Sequence, residues 1–120
     1  MKKQVGTIDS RVIALLDMDI PSGTPIYLGD SNISHMQSSH PSDYQKYGGD
    51  IENILATPDY VGINPNDSSL EYVKEYCINN QFVKVAVRIS SGNSFYARSL
   101  YVLNNNRVHN FIAKGTLKKY

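Results

Sequence analysis

Residues 82–90, Phe82-Val83-Lys84-Val85-Ala86-Val87-Arg88-Ile89-Ser90, alternate so regularly that one local structure suits them. A strand turns successive side chains to opposite faces. Val83, Val85, Val87 and Ile89 then fall on one side, and Lys84, Ala86, Arg88 and Ser90 on the other. A helix would scatter the valines around its axis. The strand therefore needs an apolar layer against its valines, and the Lys84/Arg88 face is expected to look outward. Ser91-Gly92-Asn93 offers a hairpin turn, with Ser94 to Leu103 as a long antiparallel partner. On that partner Arg98 shares a face with Tyr96, and Ser99 with Tyr101. The pattern alone does not say which of the two faces is buried.

The chain before residue 60 supplies the apolar layer. Residues 3–8 read as a short strand. Asp9 or Ser10 is an N-cap for Arg11 to Asp17, where Val12, Leu15 and Leu16 make one stripe. Pro21-Ser22-Gly23 is a turn, and Pro25 to Leu28 is a second short strand. Asp30 or Ser31 caps a helix from about Asn32 to Ser39. Pro41 stops it, because the residue before a proline is pushed out of the helical region. Proline suits a first turn, so Pro41-Ser42-Asp43 opens another short helix through Tyr47, broken by Gly48-Gly49. Asp50 caps a third helix with Ile51, Ile54 and Leu55 on one face, ending near Thr57-Pro58. From there the period changes to two: Tyr60 to Ile63, Leu70 to Cys77, then the hairpin. Asn104-Asn105-Asn106 turns into Val108 to Ala113, a last strand or a short helix, before a basic tail from Lys114 to Tyr120. Helices followed by strands give the expected fold: α+β, with N-terminal short helices packed on one face of a three- to five-stranded antiparallel sheet.

A chain of 120 residues is the size of one domain and can bury a core of its own. The expected organisation is a single unit over residues 1–120, with residues 1–24 as a strand/helix extension and residues 25–118 as the core. No run of about 20 apolar residues is present to cross a bilayer. No apolar h-region follows Met1-Lys2-Lys3, so no signal peptide is expected. Cys77 is the single cysteine. It excludes an internal disulfide, fits a reducing, cytoplasmic compartment, and reads as a packed thiol at a strand end. The net charge is only +1, but its distribution is uneven. Residues 1–70 carry nine acids against Lys2, Lys3, Arg11 and Lys46, while residues 71–120 carry Glu71 and Glu75 against eight bases. Such asymmetry either draws a polyanion to one side or arises by chance in a short chain.

Several chemistries lack their signatures. The three histidines have neither cysteine partners nor HExxH spacing, so no metal site is expected. There is no Walker loop, no GxGxxG and no GxSxG elbow. What remains is His35 and His40, in Ile33-Ser34-His35-Met36-Gln37-Ser38-Ser39-His40-Pro41. Five residues of helix turn about 500°, roughly 140° away from one face, so the two point together only if the helix ends before His40. His40 also reads as a cation favoured by a helix C-terminus, and His35 as a surface residue between Ile33 and Met36. His109, after a turn, stands apart from both. Cutting RNA without a metal needs a group to take the 2′-hydroxyl proton, a group to protonate the leaving oxygen, and fixed cations around the phosphorane. Imidazoles suit the first two because they titrate near neutrality. The sheet offers Lys84, Arg88, Arg98, Ser99 and Tyr101 for the third, though a solvated face explains Lys84 and Arg88 equally well.

The run Ile33-x-His35-Met36-x-x-x-His40-Pro41-x-Asp43-Tyr44, then Ile51-x-x-Ile54-Leu55-x-x-Pro58-Asp59-Tyr60-Val61, then Ser99-Leu100-Tyr101, resembles a known pattern. It is that of phage- and mobile-element-associated nuclease domains of the barnase–EndoU–colicin–RelE (BECR) superfamily, over roughly residues 25–118. The resemblance implies helices on a four-stranded antiparallel sheet and metal-independent, cofactor-free RNA cleavage by transesterification. Carried over by position, His35 and His40 match the histidine motif, and Ser99 and Tyr101 the late hydroxyl-bearing strand. Lys84 or Arg98 fills the place of the sheet cation. Ser39 departs from the pattern, since many relatives carry a cation before the second histidine. The expected catalytic set is therefore His35, His40, Arg98, Ser99 and Tyr101, with Lys84, Arg88 and Lys114 binding substrate. The implied partners are RNA (tRNA or another single-stranded RNA) and an immunity or antitoxin protein, with no membrane. The chain is then a toxin or a phage effector; the alternative is an inactive module that binds nucleic acid or a protein through the same basic sheet face.

Overall fold

The alternating segment is the middle of a large sheet. A computed structural model describes residues 1–90 and 92–120. Its strands are β1 (Lys2–Ile8), β2 (Thr24–Gly29), β3 (Tyr60–Ile63), β4 (Leu70–Tyr76), β5 (Gln81–Ile89), β6 (Phe95–Leu103) and β7 (Leu117–Lys119). They form one sheet in the order β1-β2-β6-β5-β4-β3-β7. Its helices are α1 (Ser10–Leu16), α2 (Asp30–Ser39), α3 (Pro41–Tyr47), α4 (Ile51–Ala56) and α5 (Asn105–Ala113), with a 3-10 turn at Gly48–Asp50.

Val83, Val85 and Val87 are fully buried, in one core with Val12 of α1, Met36 of α2, Tyr47 of α3 and Ile51, Ile54 and Leu55 of α4. The rest of the architecture departs from the expectation in two ways. The sheet has seven strands and is mixed, because β2 pairs parallel to β6 at Ile26–Phe95 and Tyr27–Tyr96. The two additions come from opposite ends of the chain. β1 and β2 form an antiparallel pair on one side, and β7 pairs antiparallel with β3 on the other. The basic tail is thus an edge strand, where lysines discourage further pairing.

The second departure is on the other face. Residues 105–113 form α5, whose N-cap Asn104 accepts from the backbone N–H groups of Asn106 and Arg107. Val108 of α5 packs with Val73, Phe82 and Leu117 into a second, smaller core. Both faces of the central strands are therefore covered in part. The expectation that Lys84 looks outward fails for this reason: Lys84 is 7% exposed, whereas Arg88 is exposed. Cys77 also departs from its reading, because β4 ends at Tyr76 and leaves the thiol exposed in the following turn.

The expected hairpin between β5 and β6 is present. Ser91 lies outside the described residues, and Asn93 takes a left-handed φ of 60°. The outer edge of β6 is closed by α3, where the Asp43 carboxylate accepts from the Val102 backbone N–H at 3.0 Å. No helix among the described residues is long and apolar enough to cross a membrane.

Gly62 permits the β3–β7 pairing. A Cβ there would sit 2.2 Å from the Thr116 carbonyl oxygen, a contact only backbone movement relieves. Gly62→Ala is accordingly expected to cost about 1–3 kcal/mol, the usual range for overpacking, in a urea unfolding curve. An unchanged midpoint would show that β7 is not held as described.

Candidate active site

The face of the sheet opposite the larger core is set by a one-residue irregularity. Across β5 and β6, Lys84 faces Tyr101, Ala86 faces Ser99, Val87 faces Ala97 and Arg88 faces Tyr96, so Arg98 is an extra residue on β6. Residues paired across an antiparallel ladder share a face, so the bulge resolves the ambiguity left by the sequence. Tyr96, Ser99 and Tyr101 lie together on the face of Lys84, Ala86 and Arg88. Ala97 and Leu100 both turn into the larger core. The sequence carries a trace of this. Apolar residues occupy odd positions at Phe95 and Ala97, then even positions at Leu100 and Val102, and that change of phase marks a bulge.

At one end of this face lies a cleft of about 790 Å³, lined by Lys2, Asn32, His35, Ser90, Tyr96 and Arg98 among others. β2 leads directly into α2, whose first turn is held by the Asn32 side chain accepting from the Gly29 N–H at 2.9 Å. That geometry carries His35 to the cleft wall. His35 is exposed, and its Nδ1 lies 3.5 Å from the Ser39 hydroxyl one turn on. Lys2 sits over the Tyr27 ring at 4.3 Å and the Tyr96 ring at 5.7 Å, and those rings lie 5.9 Å apart. Lys2 and Tyr27 have no place in the sequence-derived site, since nothing local marks them. They join it only because β2 pairs with β6.

Further along β6 is a second cluster. The helix does end before His40, which caps α2 at its C-terminus and precedes Pro41 at the start of α3. Its ring stacks on Tyr101 with centroids 4.8 Å apart and planes 25° apart. Beneath, the Lys84 ammonium lies 4.7 Å from the Tyr101 ring centre and 2.8 Å from a Glu71 carboxylate oxygen. Their side chains are only 9% and 7% exposed, and Asn64 also donates to Glu71. Burial acts to lower the Lys84 pKa, but the hydrogen bonds and charges of Glu71 and Tyr101 outweigh it, and the net shift is upward. Lys84 is thus a charged but neutralised part of the sheet, unlike the free substrate-binding cation expected from the sequence. Glu71 is the residue that reading missed. Its signal is an acid inside an apolar strand (Leu70-Glu71-Tyr72-Val73), placed diagonally from Lys84 once β4 and β5 pair.

The remaining expected residues divide as follows. Arg98 lines the cleft with His35, and Ser99 lies between Arg98 and Tyr101 on the same face. Arg88 is exposed opposite Tyr96. Lys114 stands exposed at the C-cap of α5, on a helix that carries neither histidine of the motif. His109 is on α5 with its ring edge-on to Phe82, 6.1 Å away. Among the described residues, no three His, Cys, Asp or Glu side chains gather as a metal site would require.

Residues 3–110 match the family described as phage-Barnase-EndoU-ColicinE5/D-RelE like nuclease3. The match spans most of the chain, including β1 and α1, and the chain belongs to this family. No curated protein and no solved structure matches it significantly.

The buried pair generates two predictions. Glu71→Gln or Lys84→Met alone leaves one buried charge uncompensated and should cost about 3–5 kcal/mol, while Glu71→Leu with Lys84→Met should cost far less. Chemical denaturation of the three variants checks this, and equal losses in all three would contradict it. The second concerns alkaline pH. The folded chain holds the Lys84 proton more tightly than the unfolded chain, so that stabilisation is complete below the ordinary value of 10.5 and lost as pH rises above it. The phenols act in the same direction. Burial raises Tyr72; burial and the Asp50 hydrogen bond raise Tyr76; and the hydrogen bond to Asp9, with burial, raises Tyr120. Thermal midpoints should therefore fall from about pH 10 upward; a flat profile to pH 11 would contradict the pairing.

Proposed function

We propose that this nuclease-family chain is a cytoplasmic, metal-independent endoribonuclease that cleaves RNA by attack of the 2′-hydroxyl on the adjacent phosphate. The observation that carries the reading is the shared cleft of His35 and Arg98, continued along β6 by Ser99 and the stacked His40–Tyr101 pair. One imidazole takes the 2′-hydroxyl proton, and another protonates the leaving 5′-oxygen. Arg98 and the neighbouring Ser99 hydroxyl hold the charge that develops on the phosphate, while Tyr101, further along β6, supports the His40 ring. Arg88 and Lys2 are exposed on the same face, and the tilted Tyr27 and Tyr96 rings give bases a surface to stack on. The substrate is RNA with a single-stranded segment, tRNA included. The biological role is that of a phage or mobile-element effector, restrained by an immunity protein.

The test is incubation of the purified chain with total RNA, with and without EDTA. Cleavage is expected in both cases, with 2′,3′-cyclic phosphate ends and a bell-shaped pH–rate profile around neutrality. His35→Ala and His40→Ala should each lower the rate about 10²–10⁴-fold, and Arg98→Ala about 10²–10³-fold. Full activity in the double histidine variant, or loss of activity with EDTA, would overturn the assignment. RNA binding without cleavage would make the chain a binding module.

Binding has its own signature. Each phosphate contact on a single strand contributes about 0.7 to the salt slope of affinity. Arg88→Ala and Arg98→Ala should each flatten that slope, and Lys114→Ala should do so only if the strand extends to α5. A slope unchanged by Arg88→Ala and Arg98→Ala together would place the RNA elsewhere.

A further inference from the structure

The lysines of the sheet differ in what already holds them. Lys84 pairs with Glu71, and Lys3, on the opposite face of β1 from Lys2, lies 3.2 Å from a Glu52 carboxylate oxygen. Lys2 has no such partner. Among the described residues no hydrogen bond or ion pair engages its ammonium, which rests instead against the Tyr27 and Tyr96 rings. The strand pairing explains the contact. Gln4 of β1 faces Tyr27 of β2, Tyr27 faces Tyr96 of β6, and Tyr96 faces Arg88 of β5. Lys2 lies two residues from Gln4 and so shares its face, whereas Lys3 faces Leu28, which is buried on the core side. Asp30, the acid among the described residues of the cleft wall, lies 3.1 Å from the Met1 amine. Lys2 therefore enters the cleft of His35 and Arg98 with its charge uncompensated and its three N–H donors unspent. Neutral rings hold an ammonium in place without cancelling its charge, and they hold an exposed one only weakly. Lys2 also precedes residues 3–110, the span matched to the nuclease family, so that match assigns it nothing.

We propose that Lys2 is a substrate-binding residue that holds a phosphate of the RNA strand in this cleft, and that the Tyr27 and Tyr96 rings keep its ammonium there until the phosphate takes it. A phosphate oxygen offers the ammonium a charge-assisted hydrogen bond, stronger than the ring contact it replaces. A lysine makes that bond as a point charge, so the contact follows the backbone and is indifferent to the base. Lys84 cannot serve in this way, since Glu71 neutralises it; Lys2 and Arg98 are the cations that the cleft itself supplies. The inference rests on the ribonuclease reading for the kind of strand that lies in the cleft, but phosphate binding does not require cleavage.

The test uses the intact chain and a short single strand of 2′-O-methyl RNA, which has no free 2′-hydroxyl and so stays whole. Lys2→Met should weaken its binding about tenfold at low salt, the loss of one bond to a charged group, and lower the salt slope by about 0.7. Strands of different base composition should lose the same factor. Lys2→Arg should keep the slope, because a guanidinium retains both the charge and the ring contact. Lys3→Met removes the same charge from the other face and should leave the slope almost unchanged. In the wild-type chain the Lys2 side-chain methylene protons, shielded by the two rings when free, should lose that shielding as the strand binds. Equal effects of Lys2→Met and Lys3→Met, methylene resonances that do not move, or no binding of the strand would each overturn the proposal. If all-ribose RNA is still cut in that event, Lys2 loses its role and the ribonuclease reading stands. If the strand binds through Lys2 while all-ribose RNA is left whole, the phosphate contact stands and the ribonuclease reading fails.

Discussion

Strand β6 carries one residue more than its partner can pair, and the character of the whole sheet face follows from that. Without the extra residue at Arg98, the strand would alternate through, and Tyr96 could not share a face with both Ser99 and Tyr101. With it, Ala97 and Leu100 fill the larger core from positions three apart, while every hydroxyl-bearing side chain of 96–101 turns the other way. The bulge also leaves Arg98 outside the ladder, at the wall it shares with His35. A bulge re-aims side chains at modest cost, and here it assembles a polar face on a strand whose valine partner is otherwise fully committed to packing.

The second constraint is the Lys84–Glu71 pair. Two buried charges held at 2.8 Å seldom add much net stability over an apolar replacement, but either one alone is costly. The pair is therefore sensitive to the loss of either partner. It fixes the floor beneath Tyr101, and Tyr101 in turn supports the His40 ring. α5 closes over one end of this arrangement and leaves the other end open, so one sheet face holds both a packed pair and an exposed set of cations.

What the sequence made legible follows from range. Local patterns did well: the alternation of 82–90 gave a strand with its valines buried, and Pro41 ended α2 just before His40. The apolar face of the short helix α4 and the strand at 60–63 were equally readable from period. What failed was anything decided by a partner distant in the chain. β7 is a strand only because β3 offers an edge at Gly62, and the parallel β2–β6 pairing has no local signature. Lys84 looked like a surface cation because alternation says which side a residue is on, not what covers that side. The cap of α2 is Gly29, one or two residues before the Asp30 or Ser31 that the local pattern favours, because the Asn32 side chain reaches back to the Gly29 N–H. For the site, the histidines and the late hydroxyls were visible as residue types, while Lys2, Tyr27 and Glu71 entered only through pairing.

The proposed nucleophile is the substrate's own 2′-hydroxyl, served by imidazoles and a guanidinium on this face. The most direct measurement uses a cleavable RNA and the same RNA with one 2′-deoxynucleotide immediately 5′ to the cut phosphate. Both should bind with similar affinity, and only the all-ribose strand should be cut at that position. Cleavage of the deoxy-substituted strand at the same phosphate and a comparable rate would contradict it, because the attacking oxygen would then have to come from water.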